Sequence, residues 1–283
     1  MNNHPSAKKR ARRVLFAMVI LTMLFLLFFP IVVMLSVSLK EANDVFTNPV
    51  TIVPKVFAWK NYVEVFHKMD ILNGFKNSVI VTAGTIVCTM LIAIPAAYAL
   101  SKLNFHLKPV LYYLILVSQM FAPIIVIIPL YKLINSWGWI DTYQGLIAMN
   151  TTFSLAFIIL MLKSTFDNIP KETMEAAQID GCSQLRSLLD IIIPISSKGI
   201  AVAVIFCFTR SWNEFLFAYT FNQSSDMKTV IVKLYEILKN NPALGIPWHY
   251  VMAGAVMTTI PMVVLFICIR GYITGDATKG AVK

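Results

Sequence analysis

Residues 14–39 read VLFAMVILTMLFLLFFPIVVMLSVSL, twenty-six positions without a single charge. About 20 mostly apolar residues suffice to carry a helix across ~30 Å of hydrocarbon, so this stretch spans a bilayer. Four further charge-free runs follow at 77–101, 109–131, 142–162 and 250–269. A sixth apolar segment, 199–220, carries only Arg210 and Glu214. None of the six alternates apolar and polar residues with period two, which excludes an outer-membrane barrel. The expected fold is all-α, a polytopic bundle of six transmembrane helices. Prolines at 30, 95, 123, 129 and 261 fall inside spans. In a bundle, neighbours can satisfy the carbonyls a proline frees, and Pro123 with Pro129 should bend or break the third span.

Composition agrees. Of 283 residues, 58% are hydrophobic and 13% charged, against ~45–50% and ~25% in soluble domains. That deficit excludes a soluble body, and the same figures exclude disorder. The net charge of +10 would suggest nucleic acid in a soluble protein. Here it reflects the basic cytoplasmic flanks of spanning helices, and no nucleic-acid partner is expected. Cys88, Cys182, Cys207 and Cys268 are scattered without a CxxC pair, so neither a disulfide framework nor a zinc site is expected.

The first 13 residues hold Lys8, Lys9, Arg10, Arg12 and Arg13. The apolar run behind them is too long for the core of a cleaved signal, and no small-x-small site follows. The N-terminus is therefore read as inside, and six spans return the C-terminus there. The inner segments (1–13, 101–109, 163–198, 270–283) hold 14 Lys/Arg and the outer ones (40–76, 132–142, 222–249) hold 9, in the direction of the positive-inside rule. The chain is thus expected to be a multi-pass membrane protein in contact with lipid, with both termini cytoplasmic.

The inner segment 163–198 stands apart: KSTFDNIPKETMEAAQIDGCSQLRSLLDIIIPISSK. Pro170 suits the first turn of a helix and Glu172 complements its partial positive charge. Good helix formers run from Met174 to Ile179, and Gly181 is the natural stop. Ser183 caps a second short helix running through Asp190, and Pro194 ends the segment. Small Ala176 and Ala177 allow close approach to another protein, and Glu172, Glu175 and Asp180 give the helix an acidic edge.

Glu175-Ala176-Ala177, Gly181 and Ile191-x-Ile193-Pro194 resemble the EAA motif of bacterial ABC-importer permeases, with isoleucine at 193 where leucine is usual. Asn77-Ser78, Ala96-Ala97-Tyr98-Ala99-Leu100, Asp141-Thr142-Tyr143-x-Gly145-Leu146, Trp212-Asn213-Glu214-Phe215 and Lys279-Gly280-Ala281-Val282 extend the likeness over about residues 73–283. Together they resemble carbohydrate permeases of the maltose-transporter type, in particular the smaller six-span subunit. The resemblance implies a type I ABC-importer permease. It would pair with a second permease, two ATPase subunits and an extracytoplasmic sugar-binding protein. Glu172, Glu175, Ala176, Ala177, Asp180 and Gly181 would couple to the ATPase, and Lys279, Gly280 and Ala281 would enter the ATPase interface. Segments 40–76 and 222–249 would face the binding protein, or be plain connecting loops. The implied organisation is an N-terminus at 1–13, a first helix at 14–39, an extracytoplasmic segment at 40–72, a five-span core at 73–270 containing the coupling segment 164–196, and a tail at 271–283.

No P-loop, GxSxG or HExxH occurs, and His4, His67, His106 and His249 are dispersed. Catalysis is therefore not expected of this chain. It should hold no cofactor, with ATP and Mg on the partner ATPases. Charges inside a span are functional candidates. Arg210 lies 11 residues past Gly199, roughly 16 Å deep. Glu214 follows at i+4, so the two either line a wet cavity or form an internal ion pair. Trp212 with Asn213 fits an aromatic-plus-amide sugar site, or an interfacial anchor. Gln119 and Asn150 are further pathway candidates, or interhelical hydrogen bonds. The competing readings are a permease for a non-sugar solute, a self-sufficient secondary transporter or channel, and a polytopic membrane enzyme.

Overall fold

The computed structural model describes residues 7–47, 49, 51–68, 70–179, 181–239 and 246–274. Among the described residues it is helical without strands. In chain order the helices are α1 (Ala7–Ser38), α2 (Lys60–Lys68), α3 (Ile71–Lys102), α4 (Lys108–Ser118), α5 (Pro123–Ser136), α6 (Tyr143–Asp167), α7 (Lys171–Ile179), α8 (Gln184–Ser187), α9 (Ile193–Ile195), α10 (Ser197–Trp212), α11 (Leu216–Phe221), α12 (Val230–Lys239) and α13 (Trp248–Thr274). A π-turn at Leu188–Ile192 joins α8 to α9.

Among the described residues, five segments are long and apolar enough to cross a membrane: Arg12–Ser38, Ile71–Lys102, Tyr143–Asp167, Ser197–Phe221 and Trp248–Arg270. Counted as one span, the bent pair α4 and α5 makes a sixth; its axes turn by 99° across a four-residue break. The prolines account for it. Ala122, just before Pro123, is extended at ψ 129°, because a following proline disfavours the α region. Pro123 then starts α5, where its missing N–H costs nothing.

Two compact units make up the chain, one of residues 1–69 and 236–259, the other of 70–235 and 260–283. In the first, α1 presents apolar side chains on every side, Phe16, Leu21, Phe25 and Leu27 among them. An all-round apolar helix of this length belongs in hydrocarbon or against another spanning helix. Buried Asn61 closes its end, donating to the carbonyl of Ser38 at 2.9 Å, a group a helix C-terminus leaves without a partner, and to that of Lys40 just beyond at 2.8 Å.

In the second unit, α3, α6 and α10 pack on one another. Ala93, Ala97, Leu162, Phe166, Ala203 and Cys207 are buried between them, and small residues at such crossings let backbones approach. Ile169 and Met174 of the α6–α7 stretch, with Leu188 and Ile192, join the same cluster. The inner segment is thereby seated on the spans rather than hanging from them. A second cluster gathers Val81, Ile134, Leu146, Met149, Phe217 and Phe221 toward the other end of the spans.

Candidate functional site: the helix-turn-helix between the fourth and fifth spans

Segment 163–198 folds as its sequence suggests, with two differences. Helix α7 begins after Pro170 and ends at Ile179. Gly181 takes φ +79°, and the Cys182 amide donates to the Ala177 carbonyl at 2.9 Å. That is the outer bond of a Schellman closure, with glycine at its left-handed position. A Cβ at Gly181 would meet nothing within 4 Å, so the requirement there is conformational and not steric. Ser183 caps α8, its Oγ accepting from the Arg186 amide at 3.3 Å.

The first difference is Ala177. It is 4% exposed, turned toward the chain's own core with Met174, and not toward a docking partner. The outward face carries Glu172, Glu175 and Ala176, and Ile179 is 86% exposed. The second is Pro194, which does not end the segment. It lies within α9, and the Ile193 amide reaches back to the Leu188 carbonyl. Widening the helix by one residue ahead of a proline accommodates its ring. The chain turns at Ser196 instead. Asp180 lies outside the described residues, as do Lys279, Gly280 and Ala281.

Polar bonds hold this segment against the spans. Lys102, ending α3, donates to the Ile169 carbonyl at 2.6 Å. Asp167, ending α6, accepts from Ser101 at 2.6 Å and from Lys163 at 2.6 Å.

The intramembrane candidates are placed otherwise than their spacing implied. Arg210 and Glu214 form no ion pair. Helix α10 stops at Trp212 with Asn213 at its end, so Glu214 has left the helix that would have stacked it under Arg210. Its carboxylate instead accepts from the amides of Phe217 at 2.7 Å and Ala218 at 3.0 Å, capping α11, where negative charge meets the helix dipole. Arg210 is exposed. Asn213 donates to the Thr209 carbonyl at 2.8 Å. Trp212 is 2% exposed, stacked on Phe208 with centroids 5.4 Å apart and touched by Phe75. A ring so covered offers no face to a sugar. Gln119 is exposed in the break between α4 and α5, and Asn150 is buried on α6. The structure thus places Glu172, Glu175, Ala176, Ala177 and Gly181 on one short helix and its turn, and scatters the pathway candidates among caps, core and bend.

A polar cluster that residue spacing does not reveal lies at the other end of the second unit. Asn77 donates to the carbonyls of Asp226 at 2.7 Å and Lys228 at 2.9 Å. Ser78 accepts from the Val230 amide at 2.9 Å. Asp141, at φ 54°, accepts from the amides of Gln223 at 2.7 Å and Ser224 at 2.9 Å. Gly145 is required beside it, because a Cβ there would collide with the Trp139 carbonyl oxygen. Asn77-Ser78 and Asp141-Thr142-Tyr143-x-Gly145 thus share one task, pinning the 222–230 loop.

The family profile described as "Binding-protein-dependent transport system inner membrane component" matches residues 89–275, from mid-α3 through the seated segment and beyond α13. The chain belongs to this family. This inner-membrane component is 32% identical over 262 residues to the inner membrane ABC transporter permease protein YcjP of Escherichia coli, covering 92% of each chain. It is 31% identical over 274 residues to the trehalose/maltose transport system permease protein MalG of Thermococcus litoralis, covering 96% of this chain and 97% of that one. It also superposes with a TM-score of 0.82 at 22% identity on a chain of a bacterial ABC transporter that imports the acidic polysaccharide alginate, covering 96% and 99% of the two. The fold expected from sequence, an ABC-importer permease of helical spans, is the one observed. The chain is a non-catalytic transport subunit of an ABC importer.

Proposed function

We propose that this permease forms, with a second permease, the alternating-access pathway for a carbohydrate, and that α7 and its glycine turn couple the pathway to two separate ATPase subunits. The observation that carries the reading is the seating of the EAA segment. Met174 is buried in the cluster built by α3, α6 and α10, and Ala177 is buried too, while Glu175, Ala176 and Ile179 face outward. Such a segment can pass a push from a docked subunit into α3 and α6, because its inner face moves with their shared core. Carbohydrate as substrate is supported by the likeness to a trehalose/maltose permease across nearly the whole chain. In this reading an extracytoplasmic sugar-binding protein delivers the solute. ATP and Mg sit on the ATPases, both termini are cytoplasmic, and the 279–281 tail reaches the ATPase pair.

The test is reconstitution of the full complex in vesicles. Glu175→Lys should leave insertion intact, while ATPase co-purification and substrate-stimulated hydrolysis fall. Transport at the wild-type rate with the ATPase retained would refute the coupling role. Uptake without any ATPase would favour a self-sufficient transporter.

A further inference from the structure

Three helix termini meet beside segment 163–198: the ends of α3 at Lys102 and α6 at Asp167, and the start of α4 at Lys108. Between α4 and α6 lies a hollow of about 350 Å³ lined by Lys108, Pro109, Tyr112, Tyr113 and Lys163. A second hollow of about 390 Å³ shares Lys108 and continues past Ser101, Lys102, Asn104 and Asp167 to Met174 and Glu175 of α7. The first has an aromatic floor and a cation at each side. Lys163 Nζ stands 5.4 Å from the Tyr112 ring centroid, and Tyr113 is exposed.

The charges around these hollows are three lysines and two carboxylates. Asp167 is occupied by Lys163 and Ser101, and Glu175 lies at the far end of the second hollow. Lys108 makes no ion pair among the described residues. Its ammonium donates only to the carbonyls of Ser101 at 3.3 Å and Leu103 at 3.0 Å, and an ammonium has three donors. The site therefore holds a net positive charge with a donor to spare, over an apolar floor, where helices leave the hydrocarbon. The apolar side chains of Val110, Leu114 and Val117 run on from it along α4, all exposed.

We propose that this groove binds the headgroup of an anionic phospholipid, its phosphate on Lys108 and Lys163 and its acyl chains along α4. A zwitterionic headgroup carries its own cation into the same space and would meet the lysines unfavourably. Basic pockets between spanning helices at the cytoplasmic surface suit anionic headgroups for these reasons, and interfacial tyrosines sit at headgroup level. The second hollow places this phosphate site next to α7, so the lipid would lie beside the seat of the proposed coupling segment.

The test titrates the purified transporter complex, in neutral detergent, with phosphatidylglycerol or phosphatidylcholine and counts bound lipid by native mass spectrometry. Wild type should retain phosphatidylglycerol preferentially. Lys108→Gln should weaken phosphatidylglycerol binding about fivefold and leave phosphatidylcholine unchanged, and Lys108→Arg should restore it. Because Lys108 also holds the 101–103 turn, Tyr113→Ser provides a second probe on an exposed ring and should weaken phosphatidylglycerol binding as well. Equal retention of the two lipids, or phosphatidylglycerol binding indifferent to both Lys108→Gln and Tyr113→Ser, overturns the proposal. Displacement of bound lipid by soluble glycerol phosphate would assign the site to a free phosphate ester and overturn it too. Uptake in phosphatidylcholine vesicles does not depend on the outcome, so failure here leaves the transport reading standing.

Discussion

Tyr143 donates its hydroxyl to Asn77 Oδ1 at 2.8 Å, and the amide nitrogen of the same Asn77 donates to two carbonyls of the 226–228 stretch. Asn77 is 0% exposed, so one side chain ties α3, α6 and a distant loop together. Leaving a buried polar group without its partner costs about 1–3 kcal/mol. Asn77→Ala should therefore destabilise the chain by roughly that amount, and Tyr143→Phe by about 1 kcal/mol. Since both act through one contact, the double variant should lose less than the sum. Thermal unfolding of the four proteins in detergent decides it, and strict additivity would break the link.

Gly181 offers a cleaner separation of strain from clash. Its φ is +79° and nothing crowds its missing Cβ. Asn, which tolerates left-handed backbone, should preserve coupling; Ala should cost about 1 kcal/mol locally, and Val on the order of 1–3. Substrate-stimulated ATP hydrolysis should rank Gly, Asn, Ala, Val in that order. Equal loss with Asn and Val would mean that size, not backbone conformation, matters there.

Glu214 caps α11 without Arg210. Glu214→Ala should cost about 1 kcal/mol of stability, as loss of a helix cap does, and Arg210→Ala should not change that cost. Additivity within about 0.5 kcal/mol is expected in detergent unfolding. A double variant milder than either single change would restore the ion pair that the spacing suggests.

These contrasts locate what the sequence could reveal. Missing charges mark the spans because burying an unpaired charge in hydrocarbon is costly, and that penalty is local in sequence. Pro123 and Gly181 announce a bend and a turn because each constrains its own backbone. Glu214 misleads because i,i+4 geometry presumes an unbroken helix, and α10 ends two residues earlier. Ala177 misleads because the buried face of a short helix depends on where the core lies. The clamp at Asn77 is invisible for another reason: its partners lie 149 and 151 residues away.

The α1–α2 connection carries a pH signature. Lys60 hydrogen-bonds Glu41 at 2.8 Å on the surface and holds its carboxyl below the ordinary 4.5. Because the folded value is depressed, the stabilisation is fully present above 4.5 and fades as pH falls through the lower folded value. Amide exchange at 58–62, corrected for intrinsic rates, should therefore lose protection on acidification below 4.5. Glu41→Gln should abolish that dependence, and a wild-type profile flat with pH would discount the pair.

Ala177 and Ile179 separate seating from docking. Ala177 is 4% exposed and packed inward, whereas Ile179 two residues on is 86% exposed. Ala177→Leu forces extra methylenes into a filled interior, which costs about 1–3 kcal/mol. It should lower the stability of the isolated permease before any ATPase is present. Ile179→Ser removes apolar surface that the chain itself does not cover. Permease unfolding should be unchanged, while ATPase retention on co-purification should fall severalfold, because burying such a side chain at a contact is worth ~1.5–3 kcal/mol. The paired readouts, unfolding of the permease alone and recovery of the ATPase with it, should move in opposite variants. If Ala177→Leu leaves stability intact yet releases the ATPase, Ala177 faces the partner and the seating of α7 is wrong. If Ile179→Ser retains the ATPase fully, the docking surface lies elsewhere on the inner segment.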